Sequence, residues 1–243
     1  MRSKRLLDIF LGILILFFIS PLIIIFCLLI YFYDQSNPLY ISTRVGKRGK
    51  KFKIFKIRTM VKNADKIGGT STKNTDKRLL PVGKIIRKLK LDEFTQIINV
   101  INGTMSFVGP RPNTPLDVSM YSIKEKELLS IRPGITDFSS IVFADEGDIL
   151  DNFENPDLAY NQLIRPWKSK LGLFYIKKSN LTLDLKLMFL TIMNSINRNK
   201  TLLILSKIIK NNGGSSQLVN LVCRKDDLVP NAPPGFIKPI DKI

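Results

Sequence analysis

The sequence predicts an α+β fold that is predominantly helical. Residues 9–33 form an apolar run without a charge, residues 39–60 contain alternating segments, and most later segments repeat apolar residues at helical spacing. An uncharged run of this length can enter a membrane as a helix, alternation favours strands, and a 3.6-residue apolar period favours amphipathic helices. We therefore expect an N-terminal membrane helix (1–36), a domain of mixed helices and strands (37–200) and a helical, proline-rich extension (201–243).

A proline divides the apolar run near its midpoint. Pro21 removes one backbone hydrogen bond and bends the helix, and the Ser20 hydroxyl can bond to the carbonyl that is freed. Asp8 lies one turn from Lys4 and Arg5 and is expected to pair with them locally. Basic residues flank the run on both sides: Arg2, Lys4, Arg5, Arg44, Lys47 and Arg48. Because basic flanks favour the cytoplasmic side, we expect a re-entrant helix broken at Ser20-Pro21; a kinked spanning helix is the alternative.

The composition excludes several kinds of catalytic site and metal site. Its 243 residues carry 38 Lys and Arg against 20 Asp and Glu, for a net charge of +18, and so basic a protein implies an anionic partner. Histidine is absent, which excludes Ser-His-Asp and Cys-His catalysis and histidine-ligated metal sites. The two cysteines, Cys27 and Cys223, are far apart, so a disulfide framework or a zinc site is not expected.

Residues 39–60 predict a β-hairpin with a basic face. The first half is rich in β-favouring residues, Gly46 and Gly49 bound a turn, and residues 51–60 alternate basic and apolar side chains. The polar segment 62–78 contains two consecutive glycines and is expected to be a loop.

The remaining segments predict amphipathic helices. Apolar residues recur at helical spacing in residues 82–91, 93–101, 115–131, 181–196 and 202–209. The last two segments are strongly apolar and are flanked or interrupted by Lys and Arg, so they suit the membrane interface. A core-facing position is an equal alternative for both. The proline-rich residues 229–236 are expected to be irregular.

Several charged residues could serve phosphate chemistry. The chain has no P-loop and no Gly-x-Gly-x-x-Gly motif, so side-chain cations would have to bind phosphate, and the candidates are Lys56, Arg58, Arg87 and Arg111. Arg111 stands between two prolines, which hold its backbone stiff. Asp92 and Glu93 are adjacent carboxylates; taken alone, they are explained by an N-cap aspartate followed by a first-turn glutamate.

The order of these motifs carries more information than any one of them. Along the chain come Lys4-Arg5-Leu6-Leu7-Asp8, Ser20-Pro21, Phe55-Lys56-Ile57-Arg58-Thr59-Met60, Arg87, Leu91-Asp92-Glu93, Gly109-Pro110-Arg111-Pro112, and Arg132-Pro133-Gly134-Ile135-Thr136. In this order, over about residues 3–196, the chain resembles the bacterial sugar transferases, the small monotopic polyprenyl-phosphate phosphoglycosyl transferases.

The resemblance implies a reaction and a set of site residues. Such an enzyme transfers a sugar-1-phosphate from a UDP-sugar to polyprenyl (undecaprenyl) phosphate and releases UMP. Asp92 matches the family's nucleophile, which forms a covalent phosphosugar-aspartate, and Glu93 completes the catalytic pair. A Mg²⁺ ion is implied beside the pair, with Asp92 as its ligand. The implied phosphate contacts are Lys56, Arg58, Arg87 and Arg111.

The resemblance also implies a location and partners. The site would lie on the cytoplasmic face of the bacterial inner membrane, among membrane lipids, in a capsule, O-antigen, lipopolysaccharide, exopolysaccharide or glycoprotein pathway. Nucleic acid is not an expected partner, because the chain has a membrane segment and no known reader motif. Residues 137–146 depart from the commonest family pattern, which bears on the donor sugar. The extension after residue 200 could pack on the membrane or support a homo-oligomer.

A different class of function explains the charge and the apolar segments alone. A non-catalytic, basic, membrane-anchored protein that binds anionic lipid or a partner would have both features. It leaves the ordered motifs without an explanation.

Overall fold

The computed structural model describes residues 2–64, 67, 72–73 and 75–241, and its architecture confirms the helical α+β class. The helices of these residues are α1 (Arg2–Asp34), α2 (Pro81–Lys88), α3 (Ile97–Ile101), α4 (Pro115–Ser119), α5 (Phe138–Val142), α6 (Glu146–Asp151), α7 (Pro156–Ala159), α8 (Arg165–Lys178), α9 (Leu181–Ile196), α10 (Arg198–Asn211) and α11 (Ser216–Cys223). The strands are β1 (Leu39–Val45), β2 (Lys51–Ile57), β3 (Ser106–Val108) and β4 (Gly134–Thr136). Tighter 3₁₀ turns cover Lys47–Gly49, Leu91–Gln96 and Glu125–Ser130, and a π-helical turn covers Tyr160–Ile164.

Helix α1 is long and apolar, and it continues through Ser20-Pro21. The Ser20 hydroxyl donates to the Phe17 carbonyl at 3.1 Å; this is the carbonyl that Pro21, four residues later, leaves without a backbone donor. Helical structure runs from Arg2 to Asp34, so the expected break is instead a proline inside a continuous helix. Within the described residues, α1 is the one helix with the length and composition to cross a membrane.

Both ends of α1 are tied to the rest of the protein. Near its start, Lys4 Nζ lies 2.8 Å from Asp184 Oδ2 of α9. Near its end, Ile30 is fully buried in a cluster with Ile57 of β2 and Ile86 of α2. Most apolar side chains between these two anchors are exposed, as suits a surface that meets lipid.

Asp8 does not pair with its neighbours on α1, so that prediction is wrong. Its Oδ1 accepts hydrogen bonds from Ser106 Oγ at 3.2 Å and from the Phe107 N–H at 3.1 Å. Arg5 donates instead to the Ile101 carbonyl at 2.6 Å. The long-range partners prevail because Asp8 is buried against β3, where its carboxylate and the strand's polar groups would otherwise lack partners.

Strands β1 and β2 form the predicted hairpin. They are antiparallel, with Val45 opposite Lys51 at the turn end. Gly49 in the turn has φ 74°, a left-handed conformation that glycine adopts without strain. The side-chain oxygen of Asn99, on α3, accepts from the Phe55 N–H at 3.2 Å, so the hairpin is fixed against α3.

A second, smaller sheet is not apparent from the sequence. Strands β3 and β4 pair in parallel, with Ser106 opposite Gly134 and Val108 opposite Thr136. Each strand has three residues, too few for an alternating pattern to be recognised.

Residues 115–131 do not form the single helix that their spacing predicts. Helix α4 ends at Ser119, and a 3₁₀ turn begins at Glu125. Between them, Ser122 Oγ accepts from the Glu125 N–H at 3.0 Å, and Glu125 Oε2 accepts from the Ser122 N–H at 3.2 Å. A reciprocal cap of this kind starts a new turn, and it places the buried Glu125 3.0 Å from Arg165.

Helix α9 confirms one of the two apolar helices predicted near the C-terminus and faces two environments. One face buries Leu183, Leu187 and Leu190 in the core. The other face exposes Leu185, Phe189, Ile192 and Ile196. The helix therefore contributes to the core and also presents an apolar surface of the kind that suits a membrane interface.

The C-terminal extension packs into the main core. Helix α10 begins at Arg198, so the division expected after residue 200 falls inside this helix. Leu205, Ile209 and Val222 belong to the same buried cluster as Tyr175 of α8. Residues 229–236 are irregular, as predicted.

Candidate active site

Asp92 and Glu93 lie in the 3₁₀ turn between α2 and α3. The turn follows Lys90, whose backbone is left-handed at φ 54°. Such a residue ends a helix and redirects the chain. Asp92 is the second residue of the turn, so it is not the N-cap that its sequence context alone favours. Because a 3₁₀ helix has three residues per turn, successive side chains diverge by about 120°, and the two carboxylates face different partners.

Glu93 is bound through both of its oxygens. Arg111 forms a two-pronged ion pair, with Nη1 2.9 Å from Oε2 and Nη2 against Oε1. Lys56 Nζ lies 3.2 Å from Oε1. Burial would raise the Glu93 pKa, but Arg111 and Lys56 outweigh it and hold the pKa well below its usual range. Glu93 is therefore ionised and holds the two cations beside the turn.

Asp92 is buried without a comparable set of partners. It is 7% exposed, and Lys56 Nζ lies 3.7 Å from Oδ2. No described residue donates a hydrogen bond to its carboxylate. Burial raises the Asp92 pKa, the Lys56 charge offsets this in part, and the Glu93 charge raises it further. A carboxylate with a raised pKa and few bonds is a candidate nucleophile.

The loop after β3 positions Arg111. Gly109 and Gly134 approach so closely that a Cβ on Gly134 would lie 2.1 Å from Gly109 N, which leaves no room for a side chain. The two prolines that flank Arg111 fix its neighbours' φ angles. Arg111 Nη1 also donates to the Ile135 carbonyl at 2.9 Å. The guanidinium is thus held in one place, whereas the two prolines taken alone are explained equally by a rigid turn with a solvated arginine.

Arg87 lies near the pair without touching it. Its Nε donates to Thr59 Oγ1 at 3.0 Å. A Cβ on Gly83, one turn earlier in α2, would lie 2.1 Å from the Thr59 carbonyl oxygen, so the helix and this backbone are in close contact. The charge of Arg87 lowers the Asp92 pKa. Arg87 therefore acts on the Asp92 carboxylate through space.

Arg58 has a different place from the other predicted phosphate contacts. Its Nη1 and Nη2 each lie 2.6 Å from an oxygen of Asp34. Its Nε donates to the Asn37 carbonyl at 2.8 Å, and further bonds reach the carbonyls of Met60 and Ser36 at 3.4 Å. These contacts use all five donors of a guanidinium. Arg58 thus joins the end of α1 to β2, and its contact with phosphate stays a prediction.

One further cation, Lys168, is not singled out by the sequence patterns, and its partner Glu146 belongs to the stretch 137–146 that departs from the family pattern. Lys168, on α8, forms an ion pair with Glu146 at the start of α6. Its ammonium also lies 5.1 Å from the centre of the Tyr160 ring. Only the fold brings these side chains towards Arg111, because they follow it in the chain by more than thirty residues.

Asp92 can supply one oxygen ligand to a metal ion. Among the described residues there is no group of three or more acidic or cysteine side chains that could enclose a metal. Both oxygens of Glu93 already face cations. Mg²⁺ commonly binds one or two carboxylates and completes its shell with water and substrate phosphates. The residues present fit a Mg²⁺ ion whose ligands would be Asp92, water and the phosphates of a substrate.

Comparison with known proteins shows where these motifs belong. The family described as bacterial sugar transferase matches residues 1–198. The chain belongs to this family. The matched residues of the bacterial sugar transferase family include α1, the Asp92-Glu93 turn and the Arg111 loop, whereas α11 and the C-terminal tail lie outside them.

Two of three similar proteins in the family are named for an activity. A UDP-N-acetylgalactosamine-undecaprenyl-phosphate N-acetylgalactosaminephosphotransferase of Aeromonas hydrophila is 31% identical over 192 residues, covering 78% of this chain and 42% of that protein. The UDP-glucose:undecaprenyl-phosphate glucose-1-phosphate transferase of Escherichia coli K12 is 34% identical over 194 residues, covering 78% and 39%. The uncharacterized sugar transferase EpsL of Bacillus subtilis is 31% identical over 193 residues, covering 79% and 86%. The chain thus spans less than half of the first two relatives.

Proposed function

We propose that this chain transfers a sugar-1-phosphate from a UDP-sugar to polyprenyl (undecaprenyl) phosphate, releasing UMP. One observation carries the proposal: in a single turn, Glu93 is bound by Arg111 and Lys56 while the neighbouring Asp92 carboxylate accepts no hydrogen bond from the described residues. One carboxylate thus gathers cations and the other stays available for reaction. Two relatives, which are named as transferases that act on a UDP-sugar and undecaprenyl phosphate, support the same reaction.

In the first proposed step, Asp92 is the nucleophile. One carboxylate oxygen attacks the phosphorus that carries the sugar, and the bond from this phosphorus to the bridging oxygen breaks. UMP leaves with that oxygen, and a sugar-phosphoryl ester of Asp92 remains. Carboxylates are established covalent nucleophiles for phosphoryl groups.

In the second proposed step, the lipid acceptor takes the phosphosugar. A phosphate oxygen of the polyprenyl phosphate attacks the same phosphorus, and the bond to Asp92 breaks. The products are the polyprenyl-diphosphate-sugar and the free carboxylate. Because the two steps are separate, a soluble donor and a membrane-bound acceptor can use one site in turn.

Cations close to Asp92 would offset the repulsion between its carboxylate and the diphosphate. Lys56 lies 3.7 Å from Asp92, and Arg111 is held beside it through Glu93. Arg87 adds a charge that is felt at Asp92. Fixed cations aimed at developing negative charge are an established source of rate acceleration. A Mg²⁺ ion bound by Asp92 and the donor's diphosphate would supply further charge neutralisation.

The anchorage of α1 supports a site on the cytoplasmic face of the inner membrane. Lys4 and Ile30, near opposite ends of the helix, both contact the protein body that holds Asp92. Basic residues flank the apolar run on both sides, which favours a cytoplasmic position for both ends. A helix that enters the membrane and returns would place Asp92 near the depth of the acceptor's phosphate.

The test measures UMP release by the full chain in nanodiscs with undecaprenyl phosphate, Mg²⁺ and a panel of UDP-sugars. We expect one donor to yield UMP and Asp92→Asn to reduce the rate about 1,000-fold or more, the scale on which a lost nucleophile acts. Asp226→Asn, an exposed aspartate of the tail, should keep full activity. EDTA should abolish release and Mg²⁺ restore it. Equal rates for Asp92→Asn and wild type would refute the nucleophile, and no UMP from any donor would favour the non-catalytic lipid-binding alternative.

A further inference from the structure

Asp145 is held by two arginines from the end of the chain. Its Oδ1 lies 2.9 Å from Arg198 Nη2, at the start of α10, and its Oδ2 lies 3.2 Å from Arg224 Nη2, just after α11. Arg198 also donates to the Val142 carbonyl at 3.0 Å. The Arg224 guanidinium lies 5.6 Å from the centre of the Phe143 ring. The segment between α5 and α6 is thus bound from two sides, by Arg198 at the start of α10 and by Arg224 in the C-terminal extension.

The partly buried guanidinium of Arg224 is unfavourable for the free energy of folding, which indicates that this residue has a role other than packing. Arg224 Nη1 is buried without a hydrogen-bond partner among the described residues, and burial lowers the Arg224 pKa although Asp145 opposes this effect. Burying a charge that is incompletely paired is unfavourable compared with an apolar contact. The adjoining α11 already buries Leu218 and Val222 in the core, so the extension has apolar anchors without this arginine.

The residue after Asp145 lies at the edge of the candidate active site. Glu146 pairs with Lys168, and their side chains are 32% and 19% exposed. Burial lowers the Arg111 pKa, but Glu93 and, less strongly, Glu146 raise it above its ordinary value. Arg111 in turn acts on the Lys168 pKa, against the larger effect of Glu146. A Cβ on Gly172, one turn after Lys168 in α8, would lie 3.6 Å from the Cβ of Pro110. Helix α8 therefore packs against the residue that precedes Arg111, and this places Lys168 and its partner Glu146 on the Arg111 side of the site.

The charges of Glu146 and Lys168 indicate which part of the donor these two residues could bind. Arg111 faces the diphosphate in the proposed reaction, whereas Glu146 and Lys168 together are neutral. A carboxylate repels a phosphate but accepts hydrogen bonds from sugar hydroxyl or amide groups, and an ammonium donates to them. In the proposed reaction Asp92 attacks the phosphorus that carries the sugar, whereas the uridine lies beyond the other phosphate. The sugar is therefore the hydroxyl-bearing part of the donor nearest to this site, and the pair is placed to contact it.

We propose that Arg224 is a positioning residue for donor binding: through Asp145 it fixes Glu146 and Lys168 beside Arg111, where they contact the sugar of the donor. The inference rests on the proposed function and adds a role for the extension. Arg224 lies outside the residues that match the family, so this contribution comes from a part of the chain that the family profile does not cover.

The test compares the kinetics of UMP release by Arg224→Gln, Arg224→Lys and Lys225→Gln in the full chain with wild type. We expect Arg224→Gln to raise the donor KM about tenfold with kcat within about threefold, because it removes interactions made with bound donor in both ground and transition states. Arg224→Lys keeps the charge and should restore most of the lost affinity. Lys225→Gln removes the same charge from an exposed neighbour and should change nothing.

The outcomes separate this inference from the proposed function. A merely structural role for Arg224 would lower the active fraction, so kcat would fall with KM unchanged, and that result would overturn the inference. Wild-type activity with an unchanged donor KM in Arg224→Gln would overturn it too, while leaving the reaction intact. Wild-type protein that neither releases UMP nor binds a UDP-sugar in calorimetry would overturn both. Donor binding without UMP release, weakened in Arg224→Gln, would support the inference and refute the reaction.

Discussion

Asp34, the last residue of α1, and Arg58, the first residue after β2, form a two-pronged ion pair with both nitrogen–oxygen distances at 2.6 Å. The pair fixes the carboxyl end of the apolar helix to the hairpin that also carries Lys56. Because Lys4 fixes the amino end to α9, the apolar helix α1 and the candidate active site form one connected structure.

This anchorage predicts the topology of α1. Single cysteines introduced as Arg2→Cys and Ser36→Cys, in a chain whose Cys27 and Cys223 are replaced by alanine, should both be labelled only from the cytoplasmic side. We expect this result because both ends of α1 contact the same part of the protein, so both should lie on the same side of the membrane. Labelling of the residue-2 cysteine from the periplasmic side alone would show a spanning helix and contradict the re-entrant arrangement.

The Asp34–Arg58 pair should contribute to stability. Arg58→Gln removes one partner of a pair whose side chains are 9% and 25% exposed, and we expect a loss of about 2 kcal/mol, below the range for fully buried pairs because Asp34 is partly solvated. For a chain of this size the melting temperature should fall by about 4–8 °C. Thermal unfolding in detergent measures this fall in melting temperature, and the exposed Arg48→Gln variant serves as the control. A change equal to the control's would show that the pair does not anchor α1.

Arg111 should be intolerant of lysine. Arg111→Lys keeps the charge but replaces a two-pronged contact with Glu93 and a bond to Ile135 by a single ammonium. We expect kcat to fall about 100-fold, the scale on which one charge-stabilising donor acts, with little change in melting temperature. The measurement is UMP release together with thermal unfolding. Near-wild-type turnover would remove Arg111 from the proposed site.

Lys56 should set the acid limb of the pH profile. Burial raises the Asp92 pKa and Lys56 offsets part of that rise, so activity that needs ionised Asp92 should be lost as the pH falls through this raised pKa. Removing the cation in Lys56→Gln raises the Asp92 pKa further and should move the acid limb of kcat/KM to higher pH. Lys53→Gln, on the same strand and bonded to a hydroxyl, should leave it in place. A shift to lower pH, or none, would contradict the assigned roles.

Local patterns in the sequence predicted those elements whose residues interact mainly with near neighbours. The hairpin follows from alternation and two glycines, and α9 from apolar spacing over residues 181–196. The motif order also pointed to the site, and the structure brings Lys56 and Arg111 onto Glu93. These contacts need only the hairpin, the turn and one stiff loop.

The remaining features depend on contacts between distant segments. Asp8 was expected to pair within α1 but accepts a hydrogen bond from the Phe107 N–H. A buried carboxylate without a hydrogen bond is unfavourable, so Asp8 bonds to the groups that are buried beside it. The ion pair of Arg58 with Asp34, 24 residues earlier in the chain, is likewise not apparent from its motif. No spacing rule connects Asp145 to Arg224, which are 79 residues apart. Such contacts become visible only once the chain is folded.

The covalent intermediate is the central claim, and one measurement tests it directly. Full-length protein is incubated with its UDP-sugar and Mg²⁺ but without polyprenyl phosphate, and both UMP and the mass of the peptide that contains Asp92 are determined. The proposed mechanism predicts up to one UMP per enzyme and a sugar-phosphate adduct on Asp92, lost when the acceptor is added and absent in Asp92→Asn. An active enzyme that releases no UMP and carries no adduct until the acceptor is present would contradict it and show direct transfer.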